Sequence, residues 1–269
     1  MIAFKRFQQE VCCLCGTPDD LTGEHKIKAS ALRTEFGTER MVIGRFDDLE
    51  SQARSVQGPK SKALHFTARI CSRCNSERTQ PADREFDIFH SRARKILTDG
   101  GDPRGALDID RYAEGSPPYL NLFRYFSKLL CCHLAEIGGP RREIATQFAM
   151  GISSINCIWL AIDKDWTYRK MQLEIGQHQY AAHGGLVIYA DKIDGGVTGF
   201  HSTLTIGPIR YVFFSRLNEF EKLEIKLFYR DFYMWCRERA LAHIETPMTD
   251  QELLNAGLKA QESENPDPD

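Results

Sequence analysis

Two cysteine pairs carry the strongest chemical signal in this sequence. Cys12 and Cys15 form one C-x-x-C turn near the N-terminus, and Cys71 and Cys74 form a second one far along the chain. Four thiolates in two such turns are the ligand set of a closed tetrahedral zinc site, with each sulfur about 2.3 Å from the metal. We therefore expect one structural zinc ion that joins two distant segments. The competing interpretation is that these are buried cysteines without a metal.

Cys13 is predicted to be a bystander of this site. Pairing Cys13 with Cys15 would leave one residue between two ligands, which fits the turn poorly. Gly16, directly after the first pair, suits a sharp turn with positive φ, and Asn75, directly after the second, suits the start of a helix. Three further cysteines are interpreted as ordinary core residues: Cys131, Cys132 and Cys157.

Between the two cysteine pairs, a carboxylate and an imidazole stand side by side as Glu24 and His25. If zinc joins the two pairs, Glu24, His25 and Asn75 are brought close in space. A plainer interpretation stays open for each. A Glu-His dipeptide is often exposed at a strand end, and Asn at this position often only caps a helix. Basic residues that could meet a polyanion cluster near both segments: Lys26, Lys28, Arg33, Arg69, Arg73, Arg78 and Arg84.

Length and composition favour a cytoplasmic protein without a membrane span. The chain has 269 residues, enough for one large domain or two small ones. It has no apolar run of membrane-spanning length and no apolar signal core at its N-terminus. Nine cysteines, an odd number, suit a reducing compartment better than a disulfide framework. The formal net charge of −2 divides into +3 over residues 1–100, +1 over 101–243 and −6 over 244–269.

Turn-forming residues divide the chain into four parts. Residues 1–98 form a candidate metal-binding module, 99–118 a linker rich in Gly and Pro, 119–243 a second region, and 244–269 an acidic, partly disordered tail. Within the module, the polar stretch 33–62 is predicted to be an excursion or mobile loop.

Hydrophobic spacing predicts the elements of an α+β protein. Helices are expected at 75–97, 119–137, 144–150 and 217–241, and strands at 62–70, 155–162, 172–175, 185–190, 199–206 and 209–214. The predicted architecture is a zinc-stapled N-terminal module followed by a separate α+β region. That second region would have a small, mainly antiparallel sheet with flanking helices.

Three stretches of this sequence resemble the HNH endonucleases, a branch of the ββα-metal nucleases. They are Cys12-Cys13-Leu14-Cys15-Gly16, Leu21-Thr22-Gly23-Glu24-His25-Lys26-Ile27-Lys28-Ala29-Ser30-Ala31-Leu32, and Cys71-Ser72-Arg73-Cys74-Asn75-Ser76-Glu77-Arg78-Thr79-Gln80. The resemblance covers about residues 10–95 and does not reach the second region. It implies a ββα-metal fold for the N-terminal module.

The resemblance also implies roles for three residues. In that family an acidic residue and a residue on the helix hold one divalent cation, while the histidine beside the acid activates water. Glu24 and Asn75 are then ligands of Mg²⁺ or Mn²⁺, and His25 is the general base that deprotonates a water molecule. Many members have His where this chain has Asn75, whose amide oxygen is a weaker ligand.

Several other residues have more than one possible role. Arg73, Arg78 and Lys26 are the candidate phosphate contacts, although Arg78 could instead pair with Glu77 or Asp83. Asp83 is interpreted as a solvated helix residue, with a site role as the second possibility. The residue that orients the base histidine is not assigned, and His65 and Thr67 lie in the expected stretch of sequence.

The predicted function is hydrolysis of phosphodiester bonds in nucleic acid, with DNA as the expected substrate. The alternative is a zinc-stapled module that binds nucleic acid or protein without catalysis. A third hypothesis makes the nuclease the effector of a bacterial or phage defence system or a mobile element. In that case residues 119–243 would control it through a regulatory partner or a second copy of the chain.

Overall fold

The structure of the chain, a computed structural model, describes residues 2–6, 10–47, 50–176, 178–191 and 193–245. The strands are β1 (Phe4–Lys5), β2 (Leu21–His25), β3 (Met41–Asp47), β4 (Glu50–Val56), β5 (His65–Cys71), β6 (Arg141–Arg142), β7 (Trp159–Lys164), β8 (Tyr180–Gly184), β9 (Val187–Ala190), β10 (Val197–Ile206) and β11 (Ile209–Arg216). The helices are α1 (Ala29–Phe36), α2 (Gln80–Thr98), α3 (Pro117–Glu136), α4 (Glu143–Ala149), α5 (Trp166–Ile175), α6 (Glu219–Phe228) and α7 (Arg230–Glu245). This mixture confirms the predicted α+β class.

The first unit of the chain is a two-stranded sheet followed by a helix. β2 and β5 pair antiparallel, and β5 alternates buried Phe66, Ala68 and Ile70 with exposed neighbours, as a half-buried strand must. One π-helical turn, Cys74–Arg78, leads into α2, which has Pro81 in its first turn, where no backbone donor is needed. The helix predicted over 75–97 is therefore present, with an irregular start.

The prediction of a loop over 33–62 is wrong. α1 covers part of that stretch, and β3 and β4 form an antiparallel hairpin within it. β3 also pairs in parallel with β8. The hairpin thus joins the large sheet, whose strand order is β4-β3-β8-β10-β11-β7, with β9 pairing β10. All pairings of this sheet except β3 with β8 are antiparallel.

Three predicted elements in the second region need correction. The strand predicted at 172–175 is the end of α5, which starts where the Asp165 side chain accepts the Tyr168 N–H at 2.7 Å and stops at Gly176 with φ +62°. The single helix predicted at 217–241 is two, because the backbone leaves the helical conformation at Tyr229. The strand predicted from residue 155 begins only at Trp159.

Helix α3 is the centre of the molecule. Ser116 caps it by accepting the Tyr119 N–H, and its side chains are buried around almost the whole circumference from Leu122 to Ala135. A helix that is buried on all sides must be covered by several elements. On one face Tyr125 stacks on Phe86 of α2 at 4.0 Å between ring centroids, and on another Phe126 lies 5.1 Å from Phe213 of β11.

One hydrophobic core connects the predicted module with the predicted second region. The stretch predicted as a linker contributes to it, since Ala106 and Tyr112 are buried and the Tyr112 hydroxyl donates to Glu85 Oε1 at 2.8 Å. The predicted acidic tail lies outside the described residues from position 246 on. Among the helices that the structure describes, none combines the length and apolar character that crossing a bilayer requires.

A buried histidine makes the stability of this core depend on pH. His90 of α2 is 3% exposed, and its Nδ1 lies 2.8 Å from the Tyr211 hydroxyl. Burial, with help from the charge of Arg94, lowers the pKa of His90 from 6.5 to about 3. Between pH 6.5 and about pH 3, His90 is therefore protonated in the unfolded chain and neutral in the folded protein.

We expect the free energy of unfolding to fall as the pH drops from 6.5 toward 3, by up to about 1.4 kcal/mol per pH unit from His90 alone. Above pH 6.5 His90 is neutral in both states, and the free energy of unfolding loses nothing through this residue. Urea unfolding between pH 7 and pH 4.5 measures it, with His90→Gln as a polar variant that does not titrate. Equal pH slopes in the two proteins would contradict the assignment.

Candidate functional site

The four cysteines of the two C-x-x-C pairs meet in space. Their sulfur atoms all lie within 4.8 Å of one another, and Cys15 Sγ is 3.6 Å from Cys71 Sγ. Four sulfurs around one zinc at the usual bond length would be about 3.8 Å apart. Cys12, Cys15, Cys71 and Cys74 can therefore hold a metal such as zinc.

Local backbone geometry shapes both turns for this purpose. The Gly16 N–H donates to the Cys12 carbonyl at 2.8 Å, and Gly16 has φ +81°, which a residue with a side chain rarely adopts. In the second turn, the Cys74 N–H points at Cys71 Sγ at 3.4 Å. Backbone donors of this kind stabilise a metal-bound thiolate.

Cys13 is outside the cluster. Its backbone N–H donates to the Arg69 carbonyl of β5, and its sulfur lies 3.6 Å from Cys132 Sγ on α3. Cys131 and Cys157 are also buried. None of the nine cysteines forms a disulfide.

Hydrogen bonds within the cluster stabilise the thiolate of Cys12. A hydrogen bond from the Cys74 thiol lowers the pKa of Cys12 to about 4, and the same bond raises the pKa of Cys74. Burial raises the pKa of Cys71. A bound dication would compensate the remaining negative charge, which is what a four-thiolate site requires.

Glu24 lies at the centre of a buried ionic cluster. Lys128 of α3 donates to Glu24 Oε1 at 2.9 Å and to Asp83 Oδ1 of α2 at 2.6 Å. The Lys128 side chain is 1% exposed. Lys28 extends the cluster, since its ammonium donates to the Asp83 carbonyl and to Asp87 Oδ2.

The charges of this cluster depend on one another. Burial would lower the pKa of Lys128, but the two adjacent carboxylates outweigh it and raise that pKa, so Lys128 stays an ammonium ion. Burial raises the pKa of Glu24 against the attraction of Lys128. An unpaired charge at either position would be costly in this environment.

His25 is a neutral imidazole at ordinary pH. Its ring lies 3.9 Å, centroid to centroid, from the ring of His65, which is the first residue of β5. Burial first, and then the neighbouring His65, Lys128 and Arg33, lower the pKa of His25 to about 4. The neutral ring can accept a proton.

Of the two residues considered for orienting His25, His65 is the one whose ring contacts it. A Cβ at Gly23 would come within 3.2 Å of His65 Nδ1, so the glycine leaves room for that ring. Thr67, the other residue considered, is engaged elsewhere, because its N–H and hydroxyl both donate to Glu136 Oε1.

Asn75 lies beside β2 but does not contact the Glu24 carboxylate. Its side-chain amide donates to Thr22 Oγ1 at 3.2 Å and approaches the Gly23 carbonyl at 3.5 Å. The side chain therefore ties the second cysteine turn to the strand that carries Glu24 and His25. The helix residue that shares the Lys128 ammonium group with Glu24 is Asp83.

The three candidate phosphate contacts all have partners within the protein. Arg73 pairs with Glu77 at 3.7 Å on the surface, and Lys26 pairs with Glu136 at 2.9 Å. Arg78 did not pair with Glu77 or Asp83, since its Nη1 lies 3.6 Å from Cys74 Sγ and 3.4 Å from Met150 Sδ. Only Arg73 of these three is largely exposed.

Sequence reasoning missed Lys128 altogether and ranked Asp83 low. A signal for Lys128 was present, because it is the only Lys, Arg, Asp or Glu in the apolar helix sequence from Tyr125 to Ala135. A lone charge in a helix that is otherwise apolar must find a buried partner. The identity of that partner could not be read from the sequence.

Loss of one cysteine should release the metal and destabilise the protein. Cys71→Ser is expected to lower the zinc content from one ion per chain to a small fraction, since structural zinc binding contributes about 10–16 kcal/mol in small zinc modules. Elemental analysis and thermal unfolding with and without a chelator measure both effects. Cys157→Ser is the buried control outside the cluster, and an equal zinc content in the two variants would contradict the assignment.

Removal of the Lys128 ammonium should destabilise the fold far more than removal of a surface lysine. Lys128→Met leaves the buried Glu24 and the partly buried Asp83 without their cation, which costs about 3–5 kcal/mol. Lys222→Met, which breaks the exposed pair with Glu219, should cost less than about 1 kcal/mol. Urea unfolding at pH 7 compares them, and similar losses would refute the role of Lys128.

No family model, no curated protein and no solved structure matches this chain. The resemblance to HNH endonucleases therefore rests on the three quoted stretches of sequence. The site contributes a cluster of four cysteines that can hold a metal such as zinc, within a mixed α+β structure.

Proposed function

We propose that the chain is a metal-dependent endonuclease of the HNH type that hydrolyses phosphodiester bonds of DNA in the cytoplasm. The observation that carries the proposal is that the buried Glu24 and the half-buried His25 lie side by side on β2, with the His25 ring against that of His65. Both residues belong to a unit of β2, β5 and α2. The cysteine cluster joins the segment before β2 to the turn between β5 and α2. This order of elements supports the ββα arrangement that the resemblance implies.

His25 supplies the base in this proposal. A neutral imidazole can take a proton from a water molecule as it attacks phosphorus. With a pKa of about 4 it is a weak base in the free protein, partly because Lys128 and Arg33 are near. A bound phosphate would oppose those positive charges and raise the pKa of His25 toward neutrality, where general bases are most effective.

Glu24 and Asp83 would hold the divalent cation. Their carboxylate oxygens converge on one ammonium nitrogen, at 2.9 and 2.6 Å, and hard oxygen ligands suit Mg²⁺ or Mn²⁺. The cation supplies charge that stabilises the phosphate and the leaving oxygen. Lys128 would have to withdraw to admit it, and Asn75 would join only if its amide turned away from Thr22.

One observation favours the alternative of a binding module without catalysis. The Lys128 ammonium already lies between the two carboxylates and pairs with both, in the place where a metal cation would bind. In that case the cysteine cluster would be structural, and exposed basic side chains such as Arg73 would bind nucleic acid without cutting it.

Plasmid nicking with Mg²⁺ or Mn²⁺ separates the two functions. His25→Ala should lower the metal-dependent nicking rate by about 10²–10⁴-fold, the usual contribution of a general base. His178→Ala removes an exposed histidine whose Nδ1 lies 3.0 Å from Gln172 Nε2 and should leave the rate unchanged. Absence of nicking by the unmodified protein, or equal rates for it and His25→Ala, would defeat the proposal.

Cation binding can be followed without measuring activity. In calorimetry, Lys128→Met should bind Mn²⁺ more tightly than the unmodified protein, because the ammonium no longer competes for the carboxylates. Glu24→Gln should bind it more weakly. Absence of Mn²⁺ binding in all three proteins would remove the catalytic cation from the proposal.

A further inference from the structure

An open groove of about 980 Å³ lies beside α1, lined by the end of β4 and the loop that follows it. Five basic side chains line the groove: Arg33, Arg40, Arg54, Lys60 and Lys62. All five residues are exposed. No Asp or Glu is among the described residues that line it.

None of the five cations that line this groove is paired with a carboxylate of the described part of the chain. Within the described part of the chain, none of them makes a side-chain hydrogen bond or an ion pair. Elsewhere on the surface such side chains commonly pair, as Arg73 does with Glu77 and Lys95 with Asp99. As far as the described residues go, the groove is therefore a region of unpaired positive charge, which attracts polyanions.

The wall of the groove is held in place by backbone contacts. Gly58 has φ +146°, and a Cβ there would lie 2.8 Å from the Thr38 carbonyl oxygen. The Ser61 N–H donates to the Gly58 carbonyl at 3.0 Å, and Val56 pairs with Met41 in the β3-β4 hairpin. The backbone that carries the cations of this wall is thus fixed before any ligand binds, which lowers the entropic cost of binding.

The groove lies next to His25. Arg33 at its edge is close enough to lower the pKa of His25. The loop that carries Lys60 and Lys62 continues into β5, whose first residue, His65, is in contact with the His25 ring. The Lys26 N–H donates to the Leu64 carbonyl at 2.7 Å and fixes this junction.

We propose that this groove binds the phosphate backbone of double-stranded nucleic acid and leads it to His25. The assignment of a substrate path rests on the proposed nuclease function. The cations are exposed and come from separate elements, which suits a long hydrated backbone better than one enclosed phosphate. No aromatic side chain is among the described residues of the lining, whereas proteins that bind single strands stack bases on aromatic rings. For these two reasons the ligand that we propose is the duplex and not a single strand.

Binding is tested on protein that carries His25→Ala, so that cutting does not interfere. Fluorescence anisotropy with a labelled duplex and with its single strand, at several salt concentrations, gives the dissociation constant and its salt dependence. Five phosphate contacts predict a slope of log K against log salt of about −4.5 for the duplex. The single strand should bind more weakly.

A matched pair of triple variants locates the site. Arg54→Gln/Lys60→Gln/Lys62→Gln should reduce the magnitude of the slope by about 3 and weaken duplex binding on the order of 100-fold at 0.15 M salt. Arg216→Gln/Lys226→Gln/Arg230→Gln changes the net charge equally at exposed positions outside the groove and should leave both quantities within about threefold. Far-UV circular dichroism checks that both variants are folded.

Three results would overturn the proposal: equal losses in the two triple variants, single-strand binding as tight as duplex binding, or displacement of the duplex by an equimolar peptide of residues 246–269. Displacement by this peptide would mean that an acidic segment of the chain, and not nucleic acid, binds in the groove. The proposed function fails separately. If groove variants lose duplex binding but the unmodified protein does not nick plasmid, duplex binding by the groove is supported and the nuclease function is refuted.

Discussion

The ammonium group of Lys128 is the interaction on which the rest of this structure depends. It is buried between Glu24 on β2 and Asp83 on α2, and it belongs to α3. Each of these three charges would be costly inside the protein if its partners were absent. The three elements must therefore assemble together, which links the two-stranded unit to the central helix.

The cysteine cluster and the ionic cluster fasten opposite ends of the two-stranded sheet of β2 and β5. Leu21 pairs with Cys71 at the end near the cysteines, and His25 pairs with His65 at the other end, close to Glu24. A two-stranded sheet of this length has little stability by itself. Clamping both ends gives His25 and Glu24 a fixed geometry that the strands alone would not provide.

Local signals in the sequence predicted what local interactions determine. The cysteine spacing indicated the metal cluster, and Gly138-Gly139-Pro140 marked the end of α3. Partners that come from distant segments could not be predicted: the parallel pairing of β3 with β8 turned an expected loop into sheet, and Asp83 became a partner of Glu24 only through Lys128. The roles of Arg73, Arg78 and Lys26 changed for the same reason, since nearby residues on other elements engage them.

The pairing of β3 with β8 has a consequence for synthesis of the protein. Val42 finds its neighbour only when Tyr180 has emerged, and the hairpin that walls the basic groove cannot be anchored in the sheet before then. Lys128 likewise reaches Glu24 only after α3 is made. A ribosome-bound chain that already exposes Glu24 and His25 therefore lacks the surroundings that organise them, and maturation of this region is delayed until most of the polypeptide exists.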